Sequence, residues 1–150
     1  KTMAHARDQI RDAVLAAVTG LTTTKKNAFA SRVHPMNDNE MPCVLVFTRS
    51  EISNPATFGT ARRIERRLQV MVEGYVKMAA GYDDRLDKIS TEIEKAIYNN
   101  TSLKALVEDI FLADTEIKLT GEAEKPVAVV SMNFAALYYT PENDPETILT

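Results

Sequence analysis

The sequence predicts an α+β domain: a mostly antiparallel sheet of four to five strands with two main helices packed on one face, in the order α-β-β-β-α-β-β. Three observations lead there. Residues 4–19 and 83–99 carry apolar stripes at helical spacing. Residues 62–78 and 125–141 alternate by twos, the period of a strand. The 150 residues, 45% of them hydrophobic, suffice for one domain with a core that needs no cross-link.

In the first helix, Ala6, Ile10, Ala13, Val14, Ala17 and Val18 form the stripe, and Gly20 suits a C-terminal cap. After the polar stretch "TTTKKN", Phe29 and Val33 are weak strand signals, and "HPMNDNEMP" reads as a loop. The apolar run "CVLVFT", residues 43–48, fits a strand buried on both faces. Residues 49–61, "RSEISNPATFGTA", are expected as a long polar loop, a kind of segment that tends to be functional. The next strand sets Ile64, Leu68, Val70, Val72, Val76 and Met78 against Glu65, Arg67, Gln69, Glu73 and Lys77.

The second helix carries Leu86, Ile89, Ile93, Ala96 and Ile97 on one stripe. Asp83 and Asp84 are expected to cap it and to favour its N-terminus through the helix dipole. "TSLKALVEDI" suggests one more short helical turn. Residues 109–121 then place Phe111, Ala113, Thr115, Ile117 and Leu119 against Asp114, Glu116 and Lys118, and "GEAEK" leads into the last strand. A single domain over 1–140 and a mobile acidic tail over 141–150 are expected.

The last strand poses a question. Ala128, Val130, Met132, Phe134, Ala136 and Tyr138 form one wholly apolar face. The other face is apolar at its ends, with Val127, Val129, Leu137 and Tyr139, and polar in the middle, with Ser131 and Asn133. Two coverings are open: helices on both sides of a central strand, or a second molecule.

Little chemistry is written in the chain. The five glycines make no phosphate-binding loop. Cys43 is the only cysteine, which excludes an internal disulfide and a cysteine-rich zinc site. His5, Asp8 and Asp12 have ligand-like spacing on a helix, but a solvated helix end explains them. His34 and Cys43 could pair, but cysteine opening an apolar strand is ordinarily a small hydrophobe. No catalytic, cofactor or metal residue is therefore assigned. The net charge of −3 argues against a general nucleic-acid binder, and no run approaches the roughly 20 apolar residues of a membrane span. Arg62, Arg63, Arg66 and Arg67 make a basic cluster that reads either as a contact for an acidic partner or as a solvated strand end.

The order of "RDQIRDAVLAAV", "MPCVLVF", "RRLQVMVEGYVK", "YDDRLDKISTEIEKAI" and a closing "ALYYTP" resembles the tail terminator proteins of long-tailed phages, over about residues 5–141. The resemblance implies a structural virion protein, not an enzyme. It would cap the tail tube, stop tube polymerisation and form the head–tail joining surface as a hexameric ring, located in the tail or neck and assembled in the host cytoplasm. Implied partners are further copies of itself, the major tail tube protein and a head completion or connector protein, with DNA passing through the lumen without specific binding. No cofactor and no membrane are implied. On this reading Arg62, Arg63, Arg66, Arg67, Val127, Val129, Leu137 and Tyr139 are the expected partner interface, the lumen is neutral or acidic, and loops 34–41 and 49–61 and the tail order on docking. Another neck or completion protein of the virion is the nearest alternative. A small hydrolase or nucleotide-binding enzyme using the 49–61 segment is the alternative of a different class.

Overall fold

A computed structural model describes residues 4–30, 41–120 and 126–149. Helix α1 (Ala6–Ala17) is followed by strands β1 (Ala28–Phe29), β2 (Cys43–Pro55) and β3 (Arg63–Lys77). Helices α2 (Tyr82–Asn99) and α3 (Thr101–Leu106) precede strands β4 (Asp109–Thr120) and β5 (Val127–Pro141). The five strands lie in the order β1-β2-β3-β5-β4. Every pairing is antiparallel except that of β1 with β2. The α+β architecture expected from the sequence is the one observed. Val33, His34 and the "GEAEK" connection fall outside the described residues.

The helices share one face of the sheet. Ile10 and Val14 of α1, Leu86, Ile89, Ile93 and Ile97 of α2, and Leu103 of α3 pack on Val44, Val46, Leu68, Val70, Val72, Val76 and the even-numbered residues of β5 from Ala128 to Tyr138. Each strand supplies every second residue to this core, as alternation requires. Gly74 lets α2 lie close: a Cβ there would stand 2.8 Å from Ile89 Cγ2 and 3.1 Å from Val130 Cγ1. Glu92 of α2 also holds the α1–β1 turn, accepting from Thr23 N at 2.9 Å and Thr23 Oγ1 at 2.6 Å. Among the described residues no helix is long and apolar enough to cross a membrane.

The structure departs from the sequence reading in four places. The 49–61 segment is not a loop. β2 runs on to Pro55, and residues 56–62 alone make the turn into β3. This half of β2 pairs with β3 but has no neighbour on its other side among the described residues; most of it is exposed, and exposure removed the apolar alternation that marks a strand. A register shift between Thr48 and Ser50 also changes its phase, turning Glu51 toward the helices opposite Leu68. A second shift, between Leu112 and Asp114, puts Phe111 on the same side as Asp114 and away from Ile117 and Leu119. The cap of α2 is Gly81, at φ 82°. It makes no side-chain cap bond, so Asp83 and Asp84 contribute through the first-turn dipole alone. Finally, no described helix covers the second face of β5; all three lie on the other side of the sheet.

After Pro141 the chain turns back toward α1. Pro145 O accepts from Ala6 N at 2.8 Å, Glu146 O accepts from Gln9 Nε2 at 2.7 Å, and Leu149 N donates to Tyr139 O at 2.9 Å. Ile148 packs against the main core.

Candidate functional site

The open face of the sheet has three zones. At one end Cys43, Leu45, Tyr75, Val127 and Val129 form a small apolar cluster, with Phe29 and Met41 against it. Val127 and Val129 are buried within the chain, at 2% and 3% exposure. The tyrosine hydroxyl of Tyr75 donates to Glu73 Oε1 at 2.9 Å, and burial beside that carboxylate pushes its pKa up.

The middle zone is polar and largely self-satisfied. Ser131 Oγ donates to Glu73 Oε2 at 2.8 Å, and Asn133 Nδ2 donates to Asp114 Oδ2 at 3.1 Å. These cross-strand bonds answer the question raised by the two polar residues: each is paired with a carboxylate from the neighbouring strand. A shallow depression of about 230 Å³ lies here, lined by Phe47, Arg49, Glu73, Glu116, Lys118 and their neighbours. It mixes acidic and basic groups. Among the described residues no cluster of His, Cys, Asp or Glu is placed to hold a metal.

The third zone is the arginine end. The ladder puts Ile52, Arg67, Leu137 and Asp109 in one cross-strand row, and Gln69, Ala135 and Phe111 in the next. Arg63 lies over the ring of Tyr139, 5.0 Å from its centroid, and Arg67 Nε donates to Glu65 Oε1 at 3.1 Å. Ile52 and Phe111 stand 61% and 54% exposed. This is apolar surface that the described residues leave uncovered, rimmed by guanidinium groups.

The residues singled out in the sequence are thus divided. Arg63, Arg67, Leu137 and Tyr139 are brought together at the arginine end. Val127 and Val129 share their face but lie at the other end of β5, and even Val129 is eight residues or roughly 26 Å along the strand from Leu137. Arg62 sits beside the tail, where its Nη1 is 3.7 Å from Glu142 Oε2.

Arg66 points the other way, under the edge of α1. Its Nη1 donates to Glu51 Oε1 at 3.0 Å and its Nε to Thr140 Oγ1 at 2.9 Å. Arg7 Nη1 reaches the same Glu51 oxygen at 2.9 Å, and Tyr138 donates to the other oxygen. Burial and the hydrogen bond to Glu51 push the Tyr138 pKa up. Glu51 therefore joins α1, β3 and β5 through one carboxylate whose side chain is 7% exposed. Sequence reasoning missed this residue because it stood in an apparent loop. It also missed Ile52 and the 94% exposed Phe58 at the hairpin turn. An isolated aromatic in a polar stretch was the available signal.

His5 is a helix cap: its Nδ1 accepts from Arg7 N at 3.0 Å. Among the described residues no nucleophile is placed with a base, and the segment assigned to the enzyme alternative is mostly strand.

A comparison with solved structures finds a chain in the virion of a native gene transfer agent particle. It is 17% identical, with 91% of this chain and 92% of that chain covered, at a TM-score of 0.45. That likeness is too distant to bear on function. No curated protein matches. The family model described as phage minor tail protein U matches residues 5–135, most of the chain and every element from α1 to the middle of β5. The chain belongs to the phage minor tail protein U family, and it is a structural component of the virion tail, not an enzyme.

Proposed function

We propose that this protein is a tail terminator: it caps the tail tube, stops addition of tube subunits and offers the surface to which the head is joined, working as a ring of six copies. One observation carries the reading beyond the family. A broad sheet face has no described helix over it, and its arginine end leaves Ile52 and Phe111 exposed beside Leu137 and Tyr139. Apolar groups framed by arginine and tyrosine are the usual anchors of a protein contact. A ring subunit needs two unlike contacts, one for each neighbour, and a further surface for the tube.

The partners are then other copies of the chain, the major tail tube protein and a head completion or connector protein. The arginine cluster faces protein, and the lumen is neutral or acidic so that DNA slides past without binding. The test combines the particle mass in solution with negative-stain images and addition to purified tail tubes. Rings and capped tube ends are expected. A particle that stays monomeric and leaves tube ends uncapped ends this reading.

A further inference from the structure

Beyond Pro141 the chain forms a compact strap over residues 142–149. Asp144 builds it. Asp144 N donates to Pro141 O at 3.2 Å, and Thr147 N donates to Asp144 O at 3.3 Å. The Asp144 carboxylate accepts from Thr147 Oγ1 at 2.6 Å and from Glu146 N at 3.2 Å. Residues 144–147 thus hold a shape through bonds among themselves.

The seat of the strap is largely main chain. Glu142 N donates to Arg62 O at 2.8 Å, just ahead of β3. Ala6 N, in the first turn of α1, donates to Pro145 O at 2.8 Å, and Gln9 Nε2 donates to Glu146 O at 2.7 Å. Leu149 N donates to Tyr139 O at 2.9 Å, in an antiparallel bridge. β4 begins opposite Leu137, so Leu149 takes the place that β4 leaves vacant beside the end of β5.

Side chains add little to this seat. Ile148 packs against the main core, and residues 142–149 are all exposed or half-buried. A segment held by a few hydrogen bonds and one half-buried isoleucine opens more easily than the core under the helices. Its connection suits two positions. Glu142 and Asn143 are exposed, and Pro141 and Pro145 bias the residues before them, Thr140 and Asp144, toward extended backbone. Straightening Glu142 and Asn143 gives up the bonds to Pro141 O and Arg62 O. The bonds of Pro145, Glu146 and Leu149 can all form again on an identical body.

We infer that in the ring the strap of one copy seats on the next copy, with Pro145 and Glu146 on the neighbour's α1 and Leu149 on the neighbour's β5. The occupant is a second copy because the segment seen in this seat is the strap itself, and every copy carries it. Exchange of an identical element re-forms the same contacts and adds a link between molecules. Strap and seat are unlike surfaces, so exchange in one direction runs round a closed ring. The inference deepens the terminator reading and rests on its self-association.

The test uses the full chain and two substitutions at a bonded pair, Gln9→Cys and Glu146→Cys, both at half-buried positions, while Cys43 is buried. Circular dichroism and sedimentation compare fold and assembly with wild type. Equal amounts of the two single variants are assembled together and treated with a short thiol-to-thiol cross-linker. A two-chain band joining one variant to the other is expected from the mixture, and none from either variant alone. The double variant is expected to give ladders of linked chains when assembled, and chains linked only to themselves when diluted to monomers. Rings that form normally while the mixture gives no such band, and the double variant links only within chains, overturn the inference and leave the ring standing. Linked pairs that sediment as closed dimers overturn it too, by taking the exchange out of a ring. If wild type itself never associates, the inference falls together with the ring.

Discussion

The two faces of the sheet solve the same problem in different ways. Under the helices, strand residues are covered by aliphatic groups from α1, α2 and α3, and this half of the molecule is an apolar core with the Glu51 cluster at its edge. On the open face, β3, β4 and β5 supply their own cover in the polar middle, through Ser131 with Glu73 and Asn133 with Asp114. The first face specifies the fold. The exposed arginine end of the second can be rewritten with little cost to folding, unlike the buried Cys43–Leu45–Tyr75–Val127–Val129 cluster at its other end, and that suits a surface whose partner lies outside the chain.

The largest expected effect comes where the covered face meets charge. Glu51→Ala removes the one carboxylate shared by Arg7, Arg66 and Tyr138, and leaves Arg66, whose side chain is 13% exposed, without its countercharge. Breaking a buried ion pair from one side costs about 3–5 kcal/mol, and the lower end applies because Arg7 reaches water. Urea unfolding should show a loss of about 3 kcal/mol. A double variant, Glu51→Leu with Arg66→Met, should recover much of it by exchanging ions for apolar packing. No recovery would mean that the cluster is held by geometry that apolar groups cannot replace.

Gly74→Ala tests the packing of α2 directly. The added methyl meets Ile89 and Val130 closer than ordinary contact, and overpacking of this kind costs about 1–3 kcal/mol. Gln69→Ala, five residues earlier on the open face, should change stability by no more than about 0.5 kcal/mol. Equal effects at the two positions would erase the contrast between the faces. Ser131→Ala falls between them. It removes one of two donors to Glu73, a half-buried carboxylate, and should cost about 1 kcal/mol in the same measurement.

These sites also mark how far the sequence could be read. Both main helices and the strands at 63–77 and 127–141 were legible because one face of each is buried without interruption, so the apolar period survives. The outer half of β2 was not, because most of its residues are exposed and the one that turns inward, Glu51, is charged and carries no apolar signal. β4 was legible as a strand, but its two sides were mis-sorted at Phe111, because one register shift reverses every residue beyond it. Of the interface residues named in advance, those on the open face could be assigned by parity. Parity does not say where along a strand each one lies, nor that Val127 and Val129 would be buried by Leu45 and Tyr75. The Glu51 cluster depends on contacts between residues as much as 87 positions apart, and no local pattern announces it.

On the open face, Arg67→Ala should leave stability within about 0.5 kcal/mol of wild type, because Arg67 is mostly exposed and its partner Glu65 is a near neighbour that keeps its bond from Tyr139. If the arginine end is a contact surface, association should weaken while the melting curve stays put. A stability loss with unchanged association would make Arg67 a member of the fold and no part of a contact.

The smallest effect is expected at the seam where α1, β2 and β3 meet, and it depends on pH. His5 caps α1 through Nδ1, which must be unprotonated to accept from Arg7 N. Burial lowers its pKa below the ordinary 6.5, and the charges of Arg7 and Arg66 lower it further, against the opposing pull of Glu51 and Asp8. A histidine depressed in the folded state binds its proton more readily in the unfolded chain. Stability from this group is therefore fully present above about pH 6.5, declines as the pH drops from there toward the lowered folded value, and levels off below it. Asparagine caps equally well and does not titrate, so His5→Asn should flatten that part of the curve. Melting temperatures of both proteins at pH 7.5 and 5.5 separate this contribution from that of the carboxylates, which the two share. A wild-type curve parallel to that of the variant would mean that the cap survives protonation, with the ring turned to accept water and the Arg7 amide satisfied elsewhere.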